Sequence, residues 1–203
     1  MIKNLVFDMG RVLIDYDPDA ILQMQGVLDP NDRKLLKVEI ASSPLWPLMD
    51  WGHIDEKELE KLVLPKLPQR LHHAAHRYIS HWNECLIVID GMAELIARYH
   101  EMGYQIYLLS NASSRANDYF HTIPGHEYFS GTLFSADVQL VKPMPAIYET
   151  FLAKFSLQAE ECVFIDDLPG NIAGGMTVGM QGLVFRGDVN ALREQLDELL
   201  DIQ

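Results

Sequence analysis

Four groups of residues in this 203-residue chain have the types and setting for chemistry: Asp8, Ser110 with Asn111, Lys142, and Asp166 with Asp167. Together they offer a carboxylate nucleophile, hydroxyl and amide donors, a cation, and a second pair of carboxylates. Phosphoryl transfer needs these parts, because the negative charge on the transferring group must be neutralised while it is held in line with its attacker. A hard cation such as Mg²⁺ meets that charge when one or two carboxylates hold it with several waters, and Asp8 and Asp167 are candidate ligands. Each residue alone has a plainer reading. A strand-ending aspartate is commonly a turn former or helix cap, and a lysine ahead of Pro143 and Pro145 is commonly an exposed loop charge. Their convergence at one sheet edge outweighs those readings.

The elements that must position them are short apolar, β-rich runs, each ending in a polar tip. Residues 2–7 stop at Asp8-Met9-Gly10, residues 104–109 at Ser110-Asn111, and residues 162–165 at Asp166-Asp167, while residues 182–185 form a further run. Helical periods lie between and beyond them, at 92–100, at 146–155, from about Asn171, and at 189–200, where Leu192, Leu196, Leu199 and Leu200 share one face that reads as core packing. Alternating strands and helices predict an α/β fold with a doubly wound parallel sheet, right-handed crossovers, and ligands gathered outside the carboxyl ends of the strands. Between Tyr16 and about Glu84 the strand-like runs give way to helical periods at 20–27, 31–40, 55–64 and 70–82, punctuated by Pro44, Pro47, Pro65 and Pro68. The expected architecture is therefore a core of residues 1–15 and 85–203 with a helical insertion, residues 16–84, after the first strand.

Composition bounds the partners. Sixteen basic against 29 acidic side chains give a net charge of −13, which repels polyphosphate over most of the surface and argues against nucleic acid and anionic membranes. A phosphate ligand must then be small and met by a few local cations. Cys85 and Cys162 cannot build a disulfide framework or a four-cysteine zinc site, which fits a reducing compartment. The opening run is too short for a signal peptide's apolar region, and no stretch reaches the ~20 apolar residues of a membrane span. A cytoplasmic protein is expected; the sequence fixes no oligomeric state.

Phe7-Asp8-Met9-Gly10-Arg11-Val12-Leu13, Leu109-Ser110-Asn111, Lys142-Pro143 and Phe164-Ile165-Asp166-Asp167, in that order at strand ends, resemble the four motifs of the haloacid dehalogenase-like hydrolase superfamily. The insertion resembles its small helical cap, and Trp46 through Gly52-His53-Ile54-Asp55 is similar to the cap segment of sugar-phosphatase-like members. The resemblance implies that Asp8 attacks phosphorus to give an aspartyl-phosphate that water hydrolyses. It implies that Ser110 and Asn111 hold the phosphoryl oxygens and that Lys142 pairs with both the nucleophile and the transferring group. It also implies that Asp8, the Gly10 carbonyl and Asp167 ligate Mg²⁺, with Asp166 orienting a water or Lys142. The expected activity is a Mg²⁺-dependent phosphatase acting on a small phosphorylated metabolite, most plausibly a sugar phosphate.

One position departs from that pattern. Most phosphatases of the superfamily carry a second aspartate two residues after the nucleophile as general acid and base, and this chain has Gly10 there. Proton transfer contributes about 10²- to 10⁴-fold, so the departure also admits a catalytically weak or inactive phosphate-binding protein. A dehalogenase needs no leaving-group proton either, but it has no use for the Asp166-Asp167 pair. Arg11 is too basic to donate and is a candidate substrate clamp, while His53 is a candidate substitute donor. Bland readings are favoured elsewhere: His72 and His76 as a helix face, Trp46, Trp51 and Trp82 as insertion core before substrate contact, and Asp15, Asp17 and Asp19 as hinge and helix-start residues.

Overall fold

The computed structural model describes residues 1–202. Its strands are β1 (Asn4–Phe7), β2 (Ile14–Asp15), β3 (Ile87–Val88), β4 (Gln105–Ser110), β5 (Phe129–Phe134), β6 (Cys162–Asp166) and β7 (Gln181–Val184). Five of them make one parallel sheet in the order β5-β4-β1-β6-β7, and β2 pairs antiparallel with β3. After β2 the chain runs through α1 (Pro18–Met24), α2 (Pro30–Leu36), α3 (Leu45–Asp50), α4 (Glu56–Val63) and α5 (His72–His81) before returning on β3. Helices then alternate with strands: α6 (Met92–Glu101) before β4, α7 (Ala116–Tyr119) before β5, α8 (Ser135–Val138) and α9 (Pro145–Phe155) before β6, α10 (Pro169–Thr177) before β7, and α11 (Val189–Leu199) last.

β1 is the spine of this doubly wound α/β fold. Its side chains alternate between two apolar layers, as the two-residue period of a strand dictates. Leu5 and Phe7 join Met92, Ile96, Tyr99, Leu192 and Leu196 from α6 and α11, and Val6 joins Ile147, Tyr148, Phe151 and Ile172 from α9 and α10. Both faces being covered, the strand is a continuous apolar run. Phe7 lies level with Leu108 of β4 and Ile165 of β6, so the residues that follow these positions emerge together at one edge of the sheet.

Helices α1 to α5 have an apolar cluster of their own, built on Ile21, Leu22, Leu36, Ile40, Leu59, Val63, Tyr78 and Ile79. Local signals start them. Asp17 caps α1 through the Asp19 N–H, and Asp29 caps α2 ahead of Pro30 at the first helical position. Asp55 and Glu58 form a capping box on α4, with Glu58 N donating to Asp55 Oδ1 at 2.8 Å and Asp55 N to Glu58 Oε2 at 3.1 Å. No described helix is long and apolar enough to cross a membrane.

The short elements β2, β3, α7 and α8 escaped the sequence pattern, and so did two longer ones, β5 and α3. β5 contains Gly131, which packs against the Phe155 ring where no side chain fits, so its run lacks the apolar period of a buried strand. α3 contains Pro47, which reads as a break. The proline sits in the first turn, where backbone N–H groups have no intrahelical acceptor, so the helix loses nothing.

Close packing links this scaffold to the chemistry at Gly174. A methyl group there would stand 2.6 Å from the Pro143 carbonyl oxygen and 3.0 Å from Tyr148 Cε2, pressing on the segment that carries Lys142. Gly174→Ala is expected to cost about 1–3 kcal/mol, read as a Tm lowered by several degrees in thermal unfolding.

Candidate active site

Asp8 leaves the end of β1 with its backbone N–H held by the Ile165 carbonyl at 2.9 Å, and Ser110 ends β4 beside it. Lys142 enters from the loop before α9, its side chain wholly removed from solvent. Its Nζ donates to the Leu109 carbonyl at 3.0 Å and to Asp166 Oδ2 at 2.7 Å, and lies 2.9 Å from Asp8 Oδ1. Lys142 and Asp8 thus form a buried ion pair. Burial pushes the Asp8 carboxyl up, the Lys142 ammonium pulls it down, and the Asp166 charge raises it again.

Neighbouring side chains fix these groups. Asn111 Oδ1 accepts from Lys142 N at 2.8 Å and Asn111 Nδ2 donates to the Lys142 carbonyl at 3.0 Å, bracing the lysine backbone from both sides. One amide proton of Asn111 remains for a phosphoryl oxygen. Asp166 is fully engaged: Oδ1 accepts from Leu168 N at 2.8 Å and Asn171 Nδ2 at 3.0 Å, and Oδ2 accepts from Lys142. Asp167, next to it, is only partly buried, and burial together with the Asp166 and Asp8 charges raises its carboxyl.

The three carboxylates each place an oxygen within 4.8 Å of the others. Three negative charges against one ammonium leave an excess of two, the charge of one divalent cation. That excess and the oxygen-only donor set fit a hard cation. Asp166 has its oxygens filled by N–H donors, so of the three carboxylates Asp8 and Asp167 are the ones with room to hold it.

Above this cluster a cavity of about 120 Å³ is lined from the core by Gly10, Ser110, Asn111 and Tyr119, and from the insertion by Tyr16, Trp46, Asp50, Tyr78 and Trp82. Arg11 stands at its edge in a left-handed backbone conformation (φ 58°), its guanidinium 5.7 Å from the centre of the Tyr16 ring. A larger cavity of about 500 Å³ opens between α4 and the loop after β4; unlike the smaller one it is not lined by Gly10, Ser110 or Asn111. His53 lines that second cavity and packs on Trp51 at 4.8 Å, so the structure does not bring it to Gly10 as a substitute donor. Trp51 is likewise outside the smaller cavity, donating to the Gln139 carbonyl at 2.9 Å. His72 is bonded to the Leu67 carbonyl and His76 to Glu60, and Asp19 pairs with Arg33 and Lys37.

The sequence matches the model of the haloacid dehalogenase-like hydrolases over residues 2–179. The chain belongs to this family. It is 25% identical over 195 residues to the glyceraldehyde 3-phosphate phosphatase of Pyrococcus abyssi, covering 92% of this chain and 82% of that one. It is 25% identical over 191 residues to the D-ribitol-5-phosphate phosphatase of Bacteroides thetaiotaomicron, covering 89% and 90%. A HAD family enzyme of Bacteroides thetaiotaomicron, solved with magnesium and inorganic phosphate, shares the fold with a TM-score of 0.72 at 22% identity, over 95% of this chain and 99% of that one.

Within this family frame, two participants carried no local signal. Asn171 looks like the first residue of a helix and instead holds Asp166 from inside α10. Asp50 ends α3, the helix hidden by its proline, and reaches the cavity only because the insertion folds back over the core.

Removing the ammonium tests the electrostatics of this hydrolase site. Lys142→Met would leave Asp8 and Asp166 buried together without a cation, and breaking such a buried pair costs about 3–5 kcal/mol. A urea titration at neutral pH is expected to show a loss of that size, with an unchanged slope.

Proposed function

We propose that this hydrolase is a Mg²⁺-dependent phosphatase that releases inorganic phosphate from a small phosphorylated metabolite, most plausibly a sugar phosphate. The observation that carries the reading is Lys142 Nζ between Asp8 and Asp166, with Asp167 beside them: one ammonium and a two-charge carboxylate excess, placed at the oxygen that would attack. Asp8 attacks phosphorus and forms the aspartyl-phosphate, which water then hydrolyses. Lys142 keeps Asp8 ionised and faces the transferring group, and Ser110 with the free amide proton of Asn111 receives its oxygens. When held by Asp8, Asp167 and the Gly10 carbonyl, Mg²⁺ supplies positive charge to the phosphoryl group. Asp166 acts through Lys142, as an anchor. A halide-displacing site brings no dianion to offset, so the Asp167 carboxylate argues against dehalogenation.

Residues 16–84 serve as the cap that excludes water during the reaction. The cavity beneath is small, which favours a short leaving group, and its Trp82 contributes an indole N–H that is buried without a partner. That donor suits a hydroxyl-bearing substrate, in keeping with the substrates for which the two phosphatase relatives are named.

A panel of sugar phosphates assayed with Mg²⁺ tests the reading. Turnover is expected with at least one member, is expected to vanish with a chelator, and should fall by at least about 10⁴-fold in Asp8→Asn while the protein stays folded. Activity surviving in Asp8→Asn would remove the covalent mechanism.

A further inference from the structure

A methyl group at Gly10 would have Tyr16 Cε1, at 3.9 Å, as its near neighbour, and no carboxylate comes within 4 Å of that point. The cavity lined by Gly10, Ser110 and Asn111 contains one carboxylate, Asp50, at the end of α3; its other titratable lining residues are Tyr16, Tyr78 and Tyr119. Asp50 is rigidly delivered. Ser135 Oγ donates to the Asp50 carbonyl and accepts from Ala112 N at 2.9 Å, tying the end of α3 to the loop that follows Ser110. Gly52, in a left-handed conformation (φ 76°), lets the next turn lie on Ala136, where a methyl group would stand 2.5 Å from the Ala136 carbonyl oxygen. Gln139 Nε2 donates to the Gly52 carbonyl at 3.2 Å.

We propose that Asp50, supplied by the insertion, is the proton-transfer group of this site, taking the role that Gly10 leaves open in the nucleophile's own loop. The inference rests on the phosphatase reading. As an Asp8 oxygen bonds to phosphorus and the ester P–O bond breaks, the Asp50 carboxyl gives its proton to the departing oxygen, releasing the alcohol. Asp50, now a carboxylate, then takes a proton from the water whose oxygen attacks the aspartyl-phosphate; that P–O bond breaks, and Asp8 and inorganic phosphate are restored. The surroundings suit both halves of this cycle. Burial pushes the Asp50 carboxyl up, the Ser113 backbone N–H draws it down and the Asp8 charge raises it, which together bring it to about 7. Tyr16 from the β2–α1 link, Tyr78 of α5 and Tyr119 of α7 face the same cavity and stay neutral in this range.

Leaving-group dependence separates this role from a structural one. Nitrophenolate departs without a proton, whereas phenolate, the stronger base and the smaller group, needs one. With Mg²⁺ present, Asp50→Asn is expected to slow phenyl phosphate turnover by about 10²- to 10⁴-fold. Its first equivalent of nitrophenolate from p-nitrophenyl phosphate should still appear near the wild-type rate, followed by accumulation of the aspartyl-phosphate. Wild-type kcat/KM is expected to fall above pH about 7 for phenyl phosphate and not for p-nitrophenyl phosphate; this profile needs no variant. Equal losses of the first-turnover rate on both esters in Asp50→Asn, or identical alkaline limbs in the wild type, would overturn the role of Asp50 and leave the phosphatase reading standing. A wild-type protein that turns over neither these esters nor the sugar phosphates would overturn both.

Discussion

Lys142 carries its ammonium to a place that water does not reach, and the oxygens of Leu109, Asp166 and Asp8 are what make that burial tolerable. Stripping an ion of water costs several kcal/mol, so each of these oxygens has to be where it is. The requirement spreads outward. Asp166 must be fixed, and Asn171 and the Leu168 N–H fix it; the lysine backbone must be fixed, and Asn111 does so. The strands that bring these residues level are held by two apolar layers meeting on β1. Much of the central sheet can thus be read as the means of keeping one cation next to one nucleophile.

The core of this arrangement was legible because buried parallel strands leave an uninterrupted apolar signature that ends abruptly where a polar tip begins. Asp8, Ser110 and Asp166 announce themselves in that way. β5 does not, since the Phe155 ring claims the room of a side chain at Gly131, and the resulting run resembles a turn. α3 does not, since Pro44 and Pro47 punctuate a sequence while costing a first helical turn nothing. The division of labour between Asp166 and Asp167 was beyond reach for another reason: they are adjacent aspartates at the end of the same strand, and the donors that commit Asp166, from Leu168, Asn171 and Lys142, are brought to it by the fold. His53 illustrates the reverse error. Its chemistry suited the missing donor, and its position, stacked on Trp51 over a different cavity, does not.

Core and insertion divide the site unequally. The carboxylates of the cluster and the ammonium come from the ends of β1 and β6 and from the loop before α9, the end of β4 adds neutral donors, and the insertion supplies aromatic walls and a single carboxylate. The two parts are joined over the cavity by Ser135, Ala136 and Gln139 on one side and the 50–52 turn on the other, and by the ion pair of Arg115 with Glu56 at 2.9 Å. A surface that depends on a glycine seated against a carbonyl oxygen discriminates sharply by distance: it is either in register or open.

The chain passes between the two parts twice, on β2 and on β3, and these crossings are paired, Ile14 with Val88 and Asp15 with Ile87. Two strands stitched side by side bring the chain's departure and return to one place, so the insertion is tethered to the core along a single seam two residues wide. Ile14 of that seam also lines the cavity with Gly10, Ser110 and Asp50, so the attachment of the insertion and the wall of the site are one piece of chain. On the proposed reading, a substrate too long for the cavity would meet this seam before Asp50 could come to its phosphate.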